Sequence, residues 1–233
     1  MEATLLVLML GLTLVITTLN EPFAIWGIGL GSCVIALFYC GAIWLLRRYD
    51  DASDWVPVDL PEQKLSGFTD PSGLAGTRSS ALLLQTALAC IAILVFGLLL
   101  VLFAERLAVQ SGLGASFIGV TLLAGATSLP ELTTSIAAVR LGAYTMAISN
   151  IFGSNLIMLV LVFPADLLFR SGPIMRQASD TVSLALGFGI IVTSLYLSGL
   201  IVRRKPKIGK VGVDSVLVLL VFAFSLLAYY VAR

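Results

Sequence analysis

The chain has 233 residues, of which 59% are hydrophobic and 12% are charged, and its formal net charge is +1. A soluble globular protein carries about 25% charged residues, so the composition excludes an ordinary soluble domain, and the net charge argues against nucleic acid as a partner. The sequence contains no histidine, which excludes the HExxH zinc proteases and the serine–histidine proteases of membranes.

Seven apolar stretches follow one another along the chain, and a membrane-spanning helix needs about 20 such residues. They cover residues 3–19, 23–46, 81–104, 114–139, 144–168, 179–202 and 211–232, and we name them segments A to G. Segment A lacks the basic start and small-residue cleavage site of a signal peptide, so we interpret it as a first membrane helix. The sequence therefore predicts an all-α polytopic membrane protein with about seven transmembrane helices in a lipid bilayer.

Segments B and C are separated by a long polar stretch. It is rich in proline, glycine, serine and acidic residues, a composition typical of a solvated linker. We predict three regions: residues 1–46 with two transmembrane helices, a cytoplasmic linker over 47–80, and a five-helix membrane region over 81–233.

The placement of lysine and arginine predicts the orientation. Ten of the 14 basic residues fall on the side shared by the B–C loop, the D–E turn and the F–G loop. Cytoplasmic loops carry an excess of basic residues. We therefore expect a protein of the plasma (inner) membrane with its N-terminus in the cytoplasm and its C-terminus outside.

Segment D contains an acid where hydrocarbon is expected. Glu131 ends the run G-A-T-S-L-P-E, which occupies residues 125–131. An acid at the centre of a bilayer costs roughly 3 kcal/mol on insertion scales, and such residues usually serve ion or proton pathways. Other acids, such as Glu21 in the A–B turn and Asp166 near a helix end, receive no site role in this interpretation.

Segments D and E are joined by a short turn near Leu141 and Gly142, so we expect them to pack antiparallel. Residues equally distant from the turn then lie at equal depth, and Glu131 falls opposite Phe152, near the middle of the membrane. Segment D contributes Thr127, Ser128 and Glu131 on one helix face, and segment E contributes Asn150, Ser154 and Asn155.

A proline and a glycine shape this predicted site. Pro130 has no N–H, so it should kink segment D, leave the carbonyl of Ala126 unpaired and turn that of Ala124 toward a cavity. Gly153 allows close approach of helix backbones. The result is a set of hard oxygen ligands around one carboxylate, which suits Na⁺ or Ca²⁺. Alternatively, the hydroxyls only bond to their own helix, and Gly153 and Ser154 serve helix packing alone.

At these residues the chain resembles the sodium/calcium exchanger family, within the wider cation/Ca²⁺ exchanger group. Residues 124–131 match the first half of the family's alpha-repeat, close to G-T-S-x-P-E, and residues 150–155 match its second half, N-x-x-G-S-N. The resemblance implies a secondary antiporter, not an enzyme, with Ca²⁺, Na⁺ or H⁺ as transported ions and no cofactor. It implies metal ligands at Ala124 (carbonyl), Thr127, Ser128, Glu131 and Ser154, with Pro130, Asn150, Gly153 and Asn155 in support.

The chain departs from the family pattern in two respects. Met158 stands where the family usually has Asn or Asp, and its soft sulfur is a poor partner for Ca²⁺ or Na⁺. The resemblance implies ten helices in two inverted halves, each with one alpha-repeat. One repeat is found here, so segments C to G would correspond to one five-helix half, A and B would end the other, and three helices of the family pattern would be missing. Three interpretations stay open: pairing with a second copy or with a separate chain bearing the first repeat, a truncated exchanger that transports nothing, or a membrane scaffold.

Overall fold

The computed structural model describes residues 1–25, 27–49, 79–202, 207–208 and 211–232. Its α-helices are α1 (Glu2–Thr18), α2 (Leu30–Tyr49), α3 (Ser79–Ser111), α4 (Ala115–Ile118), α5 (Ala124–Thr127), α6 (Leu129–Arg140), α7 (Tyr144–Val160), α8 (Val162–Leu168), α9 (Asp180–Ile201) and α10 (Val213–Val231). A π-helix covers Gly119–Leu123 and a 3-10 helix covers Ile174–Gln177. Two antiparallel hairpins have strands of two residues each: β1 (Ala24–Ile25) with β2 (Ile28–Gly29), and β3 (Lys207–Ile208) with β4 (Val211–Gly212).

The helices confirm the prediction of an all-α polytopic membrane protein. Five helices of the described chain are long and apolar enough to cross a membrane, namely Leu30–Arg48, Ala81–Ser111, Tyr144–Leu168, Asp180–Ile201 and Val213–Val231. A bent pair, Gly119–Thr127 with Leu129–Arg140, makes a sixth candidate, and α1 is a shorter apolar helix. The count of seven spans therefore stays a prediction.

Segment B begins later than its hydropathy indicated. α2 starts at Leu30 because the residues before it form the β1–β2 hairpin. Gly27 turns this hairpin with a φ of +83°, a conformation that glycine adopts without steric cost. The apolar character of residues 23–29 thus comes from a hairpin and not from an earlier turn of helix.

Two compact units divide the chain, and they do not follow its linear order. The outer-segment unit combines Met1–Val58 with Ser149–Arg233, and the middle unit is Asp59–Ile148. The predicted boundaries at 46/47 and 80/81 stay a prediction, since most of the linker lies outside the described residues.

Helix α9 lies at the centre of the outer-segment unit. It packs on α1 and on α10, while α2 packs on both α1 and α8. Phe188 of α9 makes edge-on ring contacts with Phe224 and Tyr229 of α10, at centroid distances of 6.0 and 5.8 Å. Such van der Waals and aromatic contacts hold helices together where lipid removes the hydrophobic driving force.

The middle unit contains a long helix with an open surface. α3 contacts α4 and the π-helix, and the side chains of its first half are exposed within the described chain. Among them Ile93 is 72% exposed and Phe96 is 68% exposed. A surface of this kind suits contact with lipid or with another membrane helix.

Candidate cation site

Segment D is interrupted just before the acid. The π-helix and α5 lead to Ser128, and α6 begins at Leu129 with Pro130 in its first turn. The two helical parts meet at an angle of 45°. Proline suits the first turn of a helix because its missing N–H would have no intrahelical partner there. The predicted kink of segment D is confirmed.

Segment E, which we also expected to be broken or bent at the site, is continuous there. α7 runs without interruption from Tyr144 to Val160 and passes through the whole N-x-x-G-S-N motif. Its helical pattern is interrupted at Leu161, three residues before Pro164. Pro164 cannot donate a hydrogen bond to the carbonyl of Val160, whereas the motif contains no proline. A glycine alone did not break this helix.

The carbonyl of Ala124 receives a dense set of hydrogen bonds. The Ser128 hydroxyl donates to it at 2.9 Å, and the Thr127 hydroxyl is shared between this oxygen at 3.1 Å and Leu123 O at 3.0 Å. The Ser128 N–H donates to the same oxygen at 3.1 Å. A carbonyl has two lone pairs, so in this arrangement Ala124 has little capacity for a cation. The two hydroxyl oxygens keep their lone pairs, because they act as donors here.

Glu131 lies in the first turn of α6 and is partly buried. Backbone N–H groups at the start of a helix, together with the helix dipole, stabilise negative charge. The break at Ser128 therefore supplies a second helix start inside the apolar segment, next to the acid. Sequence analysis anticipated the kink but not this electrostatic consequence.

The second half of the motif lies on α7. Phe152 and Leu156 are buried, and the Phe152 ring contacts Tyr196 of α9 at a centroid distance of 5.7 Å. At 100° per residue, Asn150 and Ser154 lie on the opposite face of α7 from this pair. The Ser154 hydroxyl donates to Ile151 O at 3.1 Å, so it too keeps its lone pairs.

The two halves of the predicted site belong to different units. Residues 124–131 lie in the middle unit, and residues 150–155 lie in the outer-segment unit. The structure brings Ala124, Thr127 and Ser128 into direct contact with one another. Three expectations stay predictions. They are that Glu131 meets Ser154, Asn150 or Asn155, that the two halves lie at the same depth, and that helix backbones approach closely at Gly153. The described residues contain no group of three or more Asp, Glu or Cys side chains placed to hold a metal ion.

Sequence analysis missed two features that bear on function. The first is the π-helix at Gly119–Leu123, immediately before the motif; π-bulges frequently occur at functional sites. The second is the burial of Glu21 and Asp166, which are 2% and 1% exposed. A glycine-rich stretch with Gly29, Gly31 and Ser32 precedes and begins α2, and it was the available signal for a tight polar contact.

The sequence of this chain is similar to those of known membrane transport proteins. The family model described as sodium/calcium exchanger protein matches residues 81–231. Inner membrane protein YrbG of Escherichia coli is 36% identical over 97 residues, which are 41% of this chain and 28% of that protein. Sodium/potassium/calcium exchanger 2 of Mus musculus is 28% identical over 130 residues, which are 56% of this chain and 19% of that protein.

A further relative is a putative antiporter, CaxA of Alkalimonas amylolytica. It is 31% identical over 118 residues, which are 46% of this chain and 37% of that protein. The chain thus spans well under half the length of these curated relatives. No solved structure matches.

Proposed function

This chain belongs to the sodium/calcium exchanger family, and from that premise we propose that it provides one half of a secondary active cation/Ca²⁺ antiporter. The observation that carries the proposal is the position of Glu131: an acid in the first turn of a helix that restarts at a 45° bend within an apolar segment. The family consists of transporters, which agrees with the prediction that the chain is not an enzyme.

The oxygen atoms of the motif are the proposed ion ligands. The Thr127 and Ser128 hydroxyls lie within one helical turn of Glu131, and both act as donors to Ala124 O. Their lone pairs are therefore free for a cation, with Glu131 supplying the charge. Ser154 would add a third hydroxyl from α7. Ala124 would become a ligand only if one of these hydroxyls turned away from it.

The donor set is too small for a complete Ca²⁺ site. Ca²⁺ takes six to eight oxygens, and one carboxylate cannot neutralise a divalent ion in a low dielectric. We propose that the remaining ligands come from outside residues 1–233: from a second copy, from a separate chain that carries the first alpha-repeat, or from more of the same polypeptide. With Met158 adding no hard oxygen, Na⁺ and H⁺ are the coupling ions to test.

In the proposed transport cycle, the two halves of the antiporter move relative to each other. In transporters built from inverted repeats, one half rocks against the other around a central site. We further propose an inner-membrane location, with the N-terminus in the cytoplasm and the C-terminus outside.

Ion flux tests this proposal directly. Membrane vesicles are prepared with the chain alone and with a co-expressed chain that carries the first alpha-repeat. We expect Na⁺- or H⁺-dependent Ca²⁺ uptake with the complementing chain, and we expect Glu131→Gln to reduce it to background because the site loses its charge. The measurement is radioactive Ca²⁺ uptake across imposed Na⁺ and proton gradients.

Glu105→Gln is the matched control, since Glu105 is an exposed acid on α3 outside the motif. It should leave uptake unchanged. Uptake that persists in Glu131→Gln contradicts the site assignment. Uptake by the chain alone favours a homodimer, and no uptake in either preparation favours the non-transporting fragment or the scaffold.

A further inference from the structure

Two acids outside the cation site meet at one end of the outer-segment unit. Glu21 follows α1 and Asp166 lies on α8, and both are almost fully buried. They share the first residues of α2 as partners: Ser32 N–H donates to Glu21 Oε1 at 3.3 Å, and the Ser32 hydroxyl donates to Asp166 Oδ2 at 2.6 Å. Neither acid belongs to the alpha-repeat.

Asp166 accepts hydrogen bonds at both carboxyl oxygens. Gly29 N–H donates to its Oδ2 at 2.7 Å, and Ile174 N–H donates to its Oδ1 at 2.7 Å. With the Ser32 hydroxyl it accepts three hydrogen bonds, so both of its carboxyl oxygens have donors.

Glu21 is satisfied at one oxygen only. Its Oε1 accepts from Gly31 N–H at 2.8 Å and from Ser32 N–H at 3.3 Å. Its Oε2 is buried and has no hydrogen-bond partner among the described residues. A charged oxygen left buried and unpaired is costly. We therefore expect this oxygen to bind a ligand.

A proton fits this oxygen better than a metal ion does. Glu21 Oε2 is a single uncommitted oxygen, whereas Asp166 already accepts three hydrogen bonds. A metal ion such as Ca²⁺ needs six or more oxygen ligands. The guanidinium of Arg176 also donates to the backbone carbonyl of Glu21 at 2.8 Å, which places a positive group close by. A proton needs a single oxygen atom, and it neutralises the carboxylate that it binds.

We propose that Glu21 is a proton-binding site, in which Oε2 carries the proton beside the hydrogen-bonded carboxyl group of Asp166. The proton comes from the surrounding water and returns to it, so the step needs no other reactant. The site lies where the turn after α1 meets the segment that follows α8. When the proton leaves, a buried negative charge remains on Glu21 near Asp166.

The charges around Glu21 support this assignment. Burial raises the pKa of Glu21, and the neighbouring Asp166 raises it further, while the N–H groups of Gly31 and Ser32 and the Arg176 guanidinium oppose the shift without cancelling it. A carboxyl group whose pKa is higher in the folded state stabilises the fold most at low pH. That contribution is lost as the pH rises through the folded-state pKa.

Thermal unfolding of the full chain in detergent micelles tests the site. Between about pH 5 and about pH 9 we expect the melting temperature of the wild type to fall by roughly 3 °C more than that of Glu21→Gln. Glutamine resembles the protonated carboxyl group, and it stays neutral because it has no proton to lose in this pH range. Infrared spectroscopy should show a protonated carboxyl band in the wild type that Glu21→Gln lacks.

Glu105→Gln is again the control and should follow the wild-type pH profile. If Glu21→Gln does not fold, Arg176→Gln provides the second test: removing the nearby cation should move the loss of stability to higher pH. Identical pH profiles for the wild type and Glu21→Gln would overturn the proposal. For Arg176→Gln, an unshifted profile would do the same. These readouts do not depend on transport.

Discussion

At the scale of single residues, two glycines make room for the Glu21 carboxyl group. A Cβ atom on Gly31 would lie 2.8 Å from Glu21 Oε1 and closer still to Ile16 Cγ2. A Cβ on Gly29 would also collide with the Glu21 carboxyl group. The pocket thus depends on the absence of side chains at the start of α2, which brings the acids against backbone N–H groups.

We expect Gly31→Ala to destabilise the protein by about 1–3 kcal/mol, the usual range for overpacking a tight interior. Thermal unfolding in detergent measures the change. Gly41→Ala is the matched control on the same helix, because nothing lies within 4 Å of a Cβ built there. It should leave stability unchanged or raise it by up to about 1 kcal/mol. Equal effects of the two substitutions would contradict the pocket.

The residues of the proposed cation motif stand out in the sequence, whereas those of the buried acid pair do not. Glu131 stands out because it interrupts an apolar run, and Thr127 and Ser128 are linked to it by helical spacing. Glu21 and Asp166 are separated by 145 positions and lie near segment ends, where an exposed acid is ordinary. Only the packing of α2 against α8 brings both of them to Ser32.

At the scale of elements, the bend at Ser128 should depend on Pro130. Alanine at this position restores an N–H that can donate to the carbonyl of Ala126, so we expect Pro130→Ala to straighten segment D. Spin labels at positions 122 and 139 would then move apart by roughly 2 Å, from the helical rise and the loss of the bend. Pulsed electron paramagnetic resonance measures this distance in the purified protein.

Pro164→Ala serves as the comparison, because it removes a proline from the same membrane protein without touching the labelled segment. It should leave the distance between the labels unchanged. If Pro130→Ala also leaves that distance unchanged, the bend has another cause, such as the π-helix at Gly119–Leu123.

Hydropathy placed segments A, F and G within a few residues of α1, α9 and α10, because long apolar runs specify helices that cross a membrane. It placed the start of segment B too early, since an apolar hairpin and an apolar helix share the same hydropathy. The π-helix was beyond sequence reasoning, because one residue inserted in a helical turn leaves no compositional trace. The short turn between segments D and E was correctly predicted, with Gly142 at a φ of +77°.

At the scale of the whole molecule, reporter fusions test the predicted orientation. Alkaline phosphatase fused after the last residue should be active, because we expect the C-terminus outside. A fluorescent protein at the same place should stay dark. Fusions made in the turn after Arg140 should give the opposite pattern, since basic residues favour the cytoplasm there. The same pattern at both places would contradict the alternation of spans.

The alternation already has one internal check. The turn after α1 and the segment after α8 belong to loops that seven spans would place on one side of the membrane. The structure joins these two loops through Arg176 and the Glu21 carbonyl. This contact agrees with a topology that keeps the two loops on one side of the membrane, and the topology stays a prediction.

The bond between Gly29 and Asp166 joins positions 137 residues apart, and this separation governs how the protein is made. During synthesis the first two helices leave the ribosome long before their partners. Glu21 therefore stays in the translocon or in water until Asp166 has been made and the pocket can be completed. Contacts of such long range form late and slowly. Newly made chains are thus most vulnerable to quality-control proteases between the emergence of the second helix and the arrival of the eighth.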